Sequence, residues 1–546
     1  MESQRSFLFI ALMVVTYLLF TQWQLENAPV NTAQPITTQI TEEQNNDGEF
    51  IPESSQSQRP MEKRVTVASQ KFITVTTDVL RLQINPLGGD IVHAELLAFN
   101  TEQGNGIPFT LLQNGNNKYI AQSGLIGAQG IDKVSGRPLF SVPQTDYTLK
   151  NNQPLIVDLQ YQDNNNIGFT KRFTFLPSSY KISVDYIVNN QTDNAASVQM
   201  YGQIKQSTYS NDSGSGLLPT YRGAAYSYTE DPYEKYGFDD IAETNLKVST
   251  TGGWVAMLEH YFVSAWVPNK NEVNQIYSRY SKQDEAVIGF KAPTVIVEPR
   301  TEGVISAIFY VGPKDQDALE AIEESLDLTI DYGFLWMISQ PLFSLLIWIQ
   351  SFAVNWGVAI IIITLIVKGG MYPLTKAQYS SMAKMRELAP KMAQLKERYG
   401  DDRQKMSQAT MEMYKKEKVN PAGGCLPLLI QMPIFLALYW VFLESVELRH
   451  APFGLWLQDL SAKDPYYILP ILMGVSMFVM QKMQPMTIQD PMQQKIMQYM
   501  PVMFTVFFFW FPSGLVLYWL VSNLISIVQM KIIFSGIEKA KLKTAK

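Results

Sequence analysis

Two rhythms of apolar and polar residues divide the chain. In YKISVDYIVNN, Tyr180, Ile182, Val184, Tyr186 and Val188 alternate with polar neighbours, and Leu80, Leu82 and Ile84 do the same around Arg81 and Gln83. This period of two, broken by Gly, Asn and Pro, predicts strands throughout 61–322, enough for a large β-sandwich. Beyond it the rhythm gives way to long apolar runs of the kind that cross bilayers. An earlier apolar run at 7–20, FLFIALMVVTYLLF, follows Arg5; it lacks a small-x-small cleavage site and has no nearby cysteine, so 1–25 reads as an uncleaved signal anchor. The intervening 26–60 is rich in Gln, Thr, Asn, Pro and Ser and reads as a disordered linker.

The helical half divides further. DQDALEAIEESLDL (315–328) predicts an acidic helix leading to the membrane, so that 323–354 comprises this helix and the apolar stretch after it. Spans are expected at about 356–374, 426–443, 467–482, 496–511 and 515–534, the last two separated by FPSG (511–514) because the apolar run around them is too long for one crossing of a ~30 Å core. Pro427, Pro433, Pro470 and Pro501 interrupt these runs, and short spans thin the bilayer around them. Between the first two, 375–418 predicts a helical hairpin: one helix over 375–399 with Met382, Met385, Leu388, Met392 and Leu395 on one face, a break at YGDD, and a second helix from Arg403 with Met406 and Met413 on its face. The two stripes either pack on each other or offer an adaptable surface to apolar partners, as flexible methionine side chains can.

Charge sets the orientation. Residues 24–331 hold 22 Lys+Arg and 37 Asp+Glu, a net of −15; against −6 for the whole chain, the remainder is +9. The stretch 376–418 holds 11 basic and 6 acidic residues and belongs on the cytoplasmic side under the positive-inside rule. That excludes two consecutive crossings at 334–354 and 356–374. The first, with Trp336, Gln340, Pro341, Trp348 and Gln350, is assigned to the outer interface. The core 355–534 then leaves the basic tail 535–546 inside, with six spans in all and both termini cytoplasmic.

One residue does not fit the greasy pattern: Lys368, in VAIIIITLIVKGGMYPL (358–374). Its stem either snorkels to the cytoplasmic interface or places a cation in a hydrated recess. The single cysteine, Cys425, permits no internal disulfide, and His93, His260 and His450 are too scattered to suggest a metal site.

Several segments together, YPLTKAQYSSMAKMRELAPKM, KVNPAGGCLPLLIQMPIFLALYW, SVELRHAPFGLWLQDLSAKDPYYILPILMG and DPMQQKIMQYMPVMFTVFFFWFPSGLVLYWLVSN, resemble the YidC/Oxa family of membrane protein insertases, of the Gram-negative type. The resemblance implies a polytopic α-helical membrane protein of six transmembrane helices, five of them forming the insertase core, with a large periplasmic all-β super-sandwich like that of galactose mutarotases. It implies a hydrophilic groove, open to the cytoplasm and to lipid, along which nascent membrane proteins enter the bilayer, alone or with the Sec translocon. Lys368 stands where the family has a groove arginine, with Thr364 one turn earlier. Gln431 is a polar group of the next span, while Met432, Phe435, Met473, Phe507, Tyr518 and Trp519 match substrate-contacting positions. The ribosome and signal-recognition machinery on the cytoplasmic side and membrane lipids are implied as partners, with no DNA, no cofactor and no catalysis. Two other classes remain in view from the residues: a transporter or channel, opposed by the lack of an acidic partner for Lys368 in the other spans, and a tethered carbohydrate-binding protein, for which the sandwich offers no evident acid–base motif.

Overall fold

The computed structural model describes residues 50–53, 71–133, 136–209, 220–281, 283–399, 402–417, 426–483 and 491–544. The expected strands form two sheets. The ten-stranded sheet runs β13 (Lys247–Thr251), β16 (Val273–Ser281), β17 (Glu285–Val297), β10 (Ala196–Ser207), β5 (Tyr119–Ile126), β3 (Asp90–Asn100), β2 (Leu80–Asn85), β1 (Ile73–Thr76) and β6 (Asp146–Thr148), with β4 (Pro108–Leu112) beside β3. The eight-stranded sheet runs β12 (Asp231–Tyr236), β11 (Gly223–Tyr228), β14 (Trp254–Leu258), β15 (Phe262–Val267), β18 (Thr301–Pro313), β9 (Lys181–Asn190), β8 (Ile167–Phe175) and β7 (Leu155–Gln162). A short helix α1 (Phe238–Glu243) links β12 to β13.

Alternation gives this sandwich its core. Ile182, Val184, Tyr186 and Val188 on β9, with Leu80, Leu82 and Ile84 on β2, are buried between the sheets. A second signal was not read from the sequence: WVAML and FVSAWV do not alternate, and β14 and β15 are buried on both faces. One face joins the sandwich core through Val255, Met257 and Trp266. The other, with Trp254, Ala256, Leu258, Val263 and Ala265, shares a single apolar cluster with the helical half. Strands covered on both sides are apolar throughout because neither face meets water.

The chain leaves β18 through α2 (Gln316–Glu320), whose N-cap Asp315 accepts a hydrogen bond from the Ala318 backbone N–H. The acidic helix expected over 315–328 stops there. A 3₁₀ turn at Leu326–Thr329 follows, entered through Ser325 at φ 72°. Breaking the helix lets Leu326, Ile330 and Tyr332 reach the sheet beside Leu319, and that burial outweighs helix propensity.

Helix α3 (Trp336–Ala353) buries Ser339, Phe343, Leu346 and Ile349 and exposes Trp336, Met337, Trp348 and Phe352. Next come α4 (Trp356–Gly370) and α5 (Tyr372–Glu387), bent by 63° at the break. The span expected to reach Leu374 therefore ends at Gly370. Pro373 cannot donate to the carbonyl of Gly369, and its ring crowds it. Pro390 acts likewise on Arg386, so the expected 375–399 helix is two, α5 and α6 (Ala389–Tyr399), joined at Leu388. Helix α7 (Arg403–Lys416) completes the hairpin, capped by Asp402, which accepts from the backbone N–H groups of Gln404 and Lys405.

The remaining helices are α8 (Leu426–Glu444), α9 (Ile468–Met483), α10 (Pro491–Phe507), continued by a 3₁₀ turn to Trp510, and α11 (Ser513–Thr544). The last runs ten residues past the expected span into the basic tail. Among the described residues, Gly333–Ala353 and Ser513–Lys539 are each long and apolar enough to cross a membrane, the bent pair α4–α5 passes together, and α8 and α9 contain shorter apolar helices. This supports a helical region with candidate spans rather than a count of six. The expected anchor at 7–20 lies outside the described residues. Most of the 26–60 linker lies there too, but residues 50–53 are seated on the sandwich, contrary to the disorder expected of them.

The loop between α8 and α9 ties these parts together. Asn355, the N-cap of α4, donates to the carbonyls of Pro452 and Phe453. The N–H groups of Ser513 and Gly514 donate to Ala462 and Leu460, satisfying two of the donors left open at the start of α11. Asp464 accepts from Leu469 at the start of α9 and from the Trp456 indole. The same loop grips the sandwich through Arg449, which donates to the carbonyl of Asn100 at 2.7 Å and lies over the rings of Phe109 and Phe262; just before the loop, at the end of α8, the Leu443 carbonyl accepts from His260 Nε2 at 2.9 Å.

Within this junction Glu447 Oε2 is buried without a hydrogen-bond partner among the described residues. Burial, and beyond it the nearby charges of Asp315 and Asp317, push this carboxyl up to about 7. An acid whose folded value lies above its unfolded value weakens the fold as it ionises, so stability falls as pH rises from about 4.5 through 7. Glu447→Gln is expected to stabilise the detergent-solubilised chain at pH 8, by about 1–3 kcal/mol of unfolding free energy, the cost of an unsatisfied buried polar group. Below pH 4.5 the difference from the parent should vanish.

Candidate functional site

Lys368 lies near the end of α4, at the third residue before the bend, with its side chain turned into the bundle. Its Nζ donates to Ser526 Oγ on α11 at 3.1 Å. It forms no ion pair among the described residues. A hydroxyl is a weak substitute for a carboxylate or water, and an ammonium so placed is costly unless water or an incoming group reaches it.

The serine belongs to a polar row. On α11, Ser522, Ser526 and Gln529 recur at spacings of four and three, which places them on one face of a helix. Ser526 Oγ donates to Ser522 O at 2.8 Å, and Gln529 Nε2 donates to Lys368 O at 3.2 Å, while Gln529 Oε1 is buried without a partner. Asn523, beside this row, donates to Ser476 Oγ on α9 at 3.0 Å, and Ser476 donates in turn to Met473 O. Three helices thus contribute side chains to one buried polar seam. Of its members, the sequence pointed to Lys368 and Met473; Ser476, Ser522, Ser526 and Gln529 were missed. The spacing on α11 carried the signal, but serine is inconspicuous in an apolar helix, and Ser476 gains its meaning only from its neighbour across the helix pair.

Thr364 is fully buried one turn before Lys368, but its hydroxyl donates to Ile360 O at 2.5 Å within its own helix. It contributes a polar atom to the wall without bonding to Lys368 itself. Seven residues up α11 from Ser526, ~10 Å at 1.5 Å per residue, the wall becomes aromatic. Trp519 meets Phe435 edge-on at 4.5 Å and Phe508 at 4.7 Å. Tyr518 is buried, its ring 6.1 Å from Phe435 and 5.9 Å from Phe442. Phe507 lies 4.7 Å from Phe511. The structure thus brings Phe435, Tyr518 and Trp519 together. Met473 is buried in the same apolar cluster, Gln431 is half-buried on α8, and Met432 and Phe507 are substantially exposed on the outside of the bundle.

The bend at Gly370 carries the hairpin away from this seam. Met382 packs in a small cluster with Tyr379, Met530 and Ile533, so it holds α5 against α11 rather than facing the second hairpin helix. Leu388 is buried at the joint, whereas Met385, Met392, Met406 and Met413 are only half-covered. Helices α6 and α7 are linked by the ion pair Lys391–Glu417. The glycines preceding the bend, Gly369 and Gly370, are exposed, with open space where a side chain would project.

The chain resembles known proteins over its whole length. The family model described as the YidC periplasmic domain matches residues 72–345, and that of the 60Kd inner membrane protein matches 348–540. The membrane protein insertase YidC of Shewanella piezotolerans is 56% identical over 550 residues, covering all of both chains. That of Shewanella pealeana is 56% identical over 551 residues with the same coverage. Among solved structures, an active YidC insertase with its first transmembrane domain resolved aligns with 86% of this chain and 94% of its own at 20% identity, with a TM-score of 0.37.

Replacing the serine tests the seam directly. Ser526→Ala leaves the buried ammonium without its hydroxyl acceptor and is expected to lower stability by about 1–3 kcal/mol. Denaturant unfolding of the purified chain measures this, and Ser526→Thr, which keeps the hydroxyl, should restore most of it.

Proposed function

The chain belongs to the YidC family of membrane protein insertases, and on that premise we propose how its polar seam serves insertion. It is an insertase rather than an enzyme, and its substrates are nascent membrane proteins. The reading is that the seam between α4, α9 and α11 lines a hydrated groove open to the cytoplasm and to lipid. The Lys368 ammonium at its inner end attracts acidic and polar groups of an arriving chain. It thereby offsets part of the cost of taking them out of water. The aromatic wall of Phe435, Tyr518 and Trp519 closes the outer end and offers apolar contact to the entering span. Thr364, Gln431, Met432, Met473 and Phe507 are the further groove positions in this proposal. The observation that carries it is the buried ammonium, held by one serine hydroxyl.

The same proposal fixes the topology. An N-terminal anchor at 7–20 and five core spans from α4, α8, α9, α10 and α11 leave both termini in the cytoplasm and the sandwich in the periplasm. Charge supports this arrangement, since the basic hairpin and tail fall on the inner side and the acidic 24–331 region outside. Helix α3 lies in the outer interface, where its exposed Trp336, Trp348 and Phe352 suit headgroup depth. The half-covered methionines Met385, Met392, Met406 and Met413, with Met382 and Leu388 holding the hairpin's base, form an adaptable contact surface for nascent chains. The hairpin's basic residues suit the ribosome and signal-recognition machinery, and the lipid-facing sides of the spans suit the Sec translocon as well as membrane lipids.

Lysine in place of the family's arginine sharpens the test, because lysine acts as a point charge whereas arginine binds carboxylates in a bidentate fork. In cells depleted of their own insertase, Lys368→Arg is expected to support growth and Lys368→Glu to abolish it; full rescue by the Glu variant would refute the electrostatic role. Photo-crosslinkers placed at Thr364, Phe435 and Trp519 are expected to capture a stalled nascent span, and capture at none of the three would exclude this path.

A further inference from the structure

Backbone conformation singles out the rim of the helical bundle that carries the starts of α4 and α9. Among the described non-glycine residues with φ in the left-handed region, those of the sandwich and its exit are Asn, Ser, Asp or Arg, mostly short polar residues that suit tight turns. Those beside the starts of α4 and α9 are Val354, His450, Leu455 and Tyr467. A left-handed backbone crowds Cβ against the following carbonyl, and an apolar residue gains no local hydrogen bond in return. At two of these positions the side chain also finds little cover: Val354 is 80% exposed and Leu455 86%.

Asn355 brings the two segments together. Val354, at φ 60°, ends α3, and the Asn355 side chain after it donates to the carbonyls of Pro452 and Phe453 at 3.1 and 3.0 Å. Phe453 is seated on the first turn of α4 so closely that a Cβ at Gly357 would fall 2.1 Å from its ring. From that seat the chain makes a tight turn. The N–H groups of Phe453 and Gly454 both donate to the Leu457 carbonyl, Leu457 N–H donates back to the Gly454 carbonyl, and Gln458 Nε2 donates to the Leu455 carbonyl at 2.6 Å. Leu455, at φ 54°, is the tip of this braced turn. Charge is missing from the surroundings: neither 332–367 nor 451–458 contains an Asp, Glu, Lys or Arg. The exposed apolar character continues along α3 at Trp348 and Phe352 and down α4 at Val358 and Leu365.

We infer that Leu455 and Val354 form a paired anchor that enters the acyl region of the outer leaflet and sets the depth of α4. The inference rests on the assignment of α3 to the outer interface. Facing water, both turns would gain from Asn or Gly, which accept a positive φ at less cost; apolar side chains held there gain only where acyl chains receive them. A protein partner is the less fitting occupant, because the uncharged surface runs on into the exposed flank of an apolar helix of spanning character. The anchor also bears on the groove. Lys368 comes thirteen residues after Asn355, ~20 Å along the helix at 1.5 Å per residue. With α4 along the bilayer normal, fixing its first turn at the outer edge of a ~30 Å hydrocarbon core holds the ammonium about two-thirds of the way across.

The test uses the full chain with Cys425→Ser and one bimane-labelled cysteine at a time, in protein-free liposomes of phosphatidylethanolamine and phosphatidylglycerol, with or without a lipid carrying a nitroxide near the top of its acyl chain. Leu455→Cys and Val354→Cys are expected to lose most of their fluorescence to the nitroxide, as is Trp348→Cys on α3, whereas Ile156→Cys on β7 of the sandwich should keep its own. Leu455→Asn, which suits the left-handed backbone better, is expected to unfold in detergent at a midpoint no lower than the parent's and yet to reduce quenching at Val354→Cys. Quenching at Trp348→Cys without quenching at Leu455→Cys would overturn this inference alone, and quenching at neither would overturn it together with the interfacial assignment of α3. A lower midpoint for Leu455→Asn, showing that the leucine packs on protein, would also overturn it, as would unchanged quenching at Val354→Cys in that variant.

Discussion

A positive charge brought inside a bundle of apolar helices must be satisfied, and the helical half is arranged around that need. Lys368 has no carboxylate to pair with among the described residues, so its ammonium leans on Ser526, and its carbonyl is held by Gln529. Those two residues fix which face of α11 looks inward. Asn523, beside that face, carries the polar seam across to Ser476 on α9. A lysine salt-bridged within its own bundle would be a closed structural element. One held by a hydroxyl is left with most of its charge uncompensated, at the cost of needing water nearby.

The bend after Lys368 follows from local chemistry. Two glycines and Pro373 end the regular helix just past the charge, and the 63° turn sends α5 across α11, where Tyr379 and Met382 pack near Met530 and Ile533. The hairpin is thereby anchored at its base, while its farther methionines stay half-covered. A packed base and a half-covered far end are thus properties of one chain segment.

At the opposite end, strands β14 and β15 of the eight-stranded sheet are covered on both faces. Their outer face is covered by the 319–349 segment and by the loop that also holds the starts of α4, α9 and α11. The sandwich is therefore more than a tethered appendage, because the loop that orders the helix ends also carries Arg449, and the end of α8 accepts from His260. There one oxygen of the Glu447 carboxyl is buried without a hydrogen-bond partner among the described residues, whereas the outer face of the ten-stranded sheet keeps its buried Gln203 covered by Phe50–Glu53.

Much of this was legible in the sequence. Alternation at Ile182, Val184, Tyr186 and Val188 marked the sandwich, hydropathy marked the helices, and the isolation of Lys368 marked the candidate site, since each depends on residues close in the chain. Two breaks were present but unread: Pro373 and Pro390 each remove a hydrogen bond to a carbonyl four residues back. Other features were decided only by tertiary structure. The helix expected over 315–328 yields after α2 because Leu326 and Tyr332 gain more from the sheet than from helical regularity. Ser476 becomes part of the site only because α9 lies against α11. Residues 50–53, disordered by composition, are held by Gln203 and Lys291 from strands far along the chain. Local sequence determines which backbone pattern a segment prefers and which faces must be buried; which surface buries them depends on contacts between residues hundreds of positions apart.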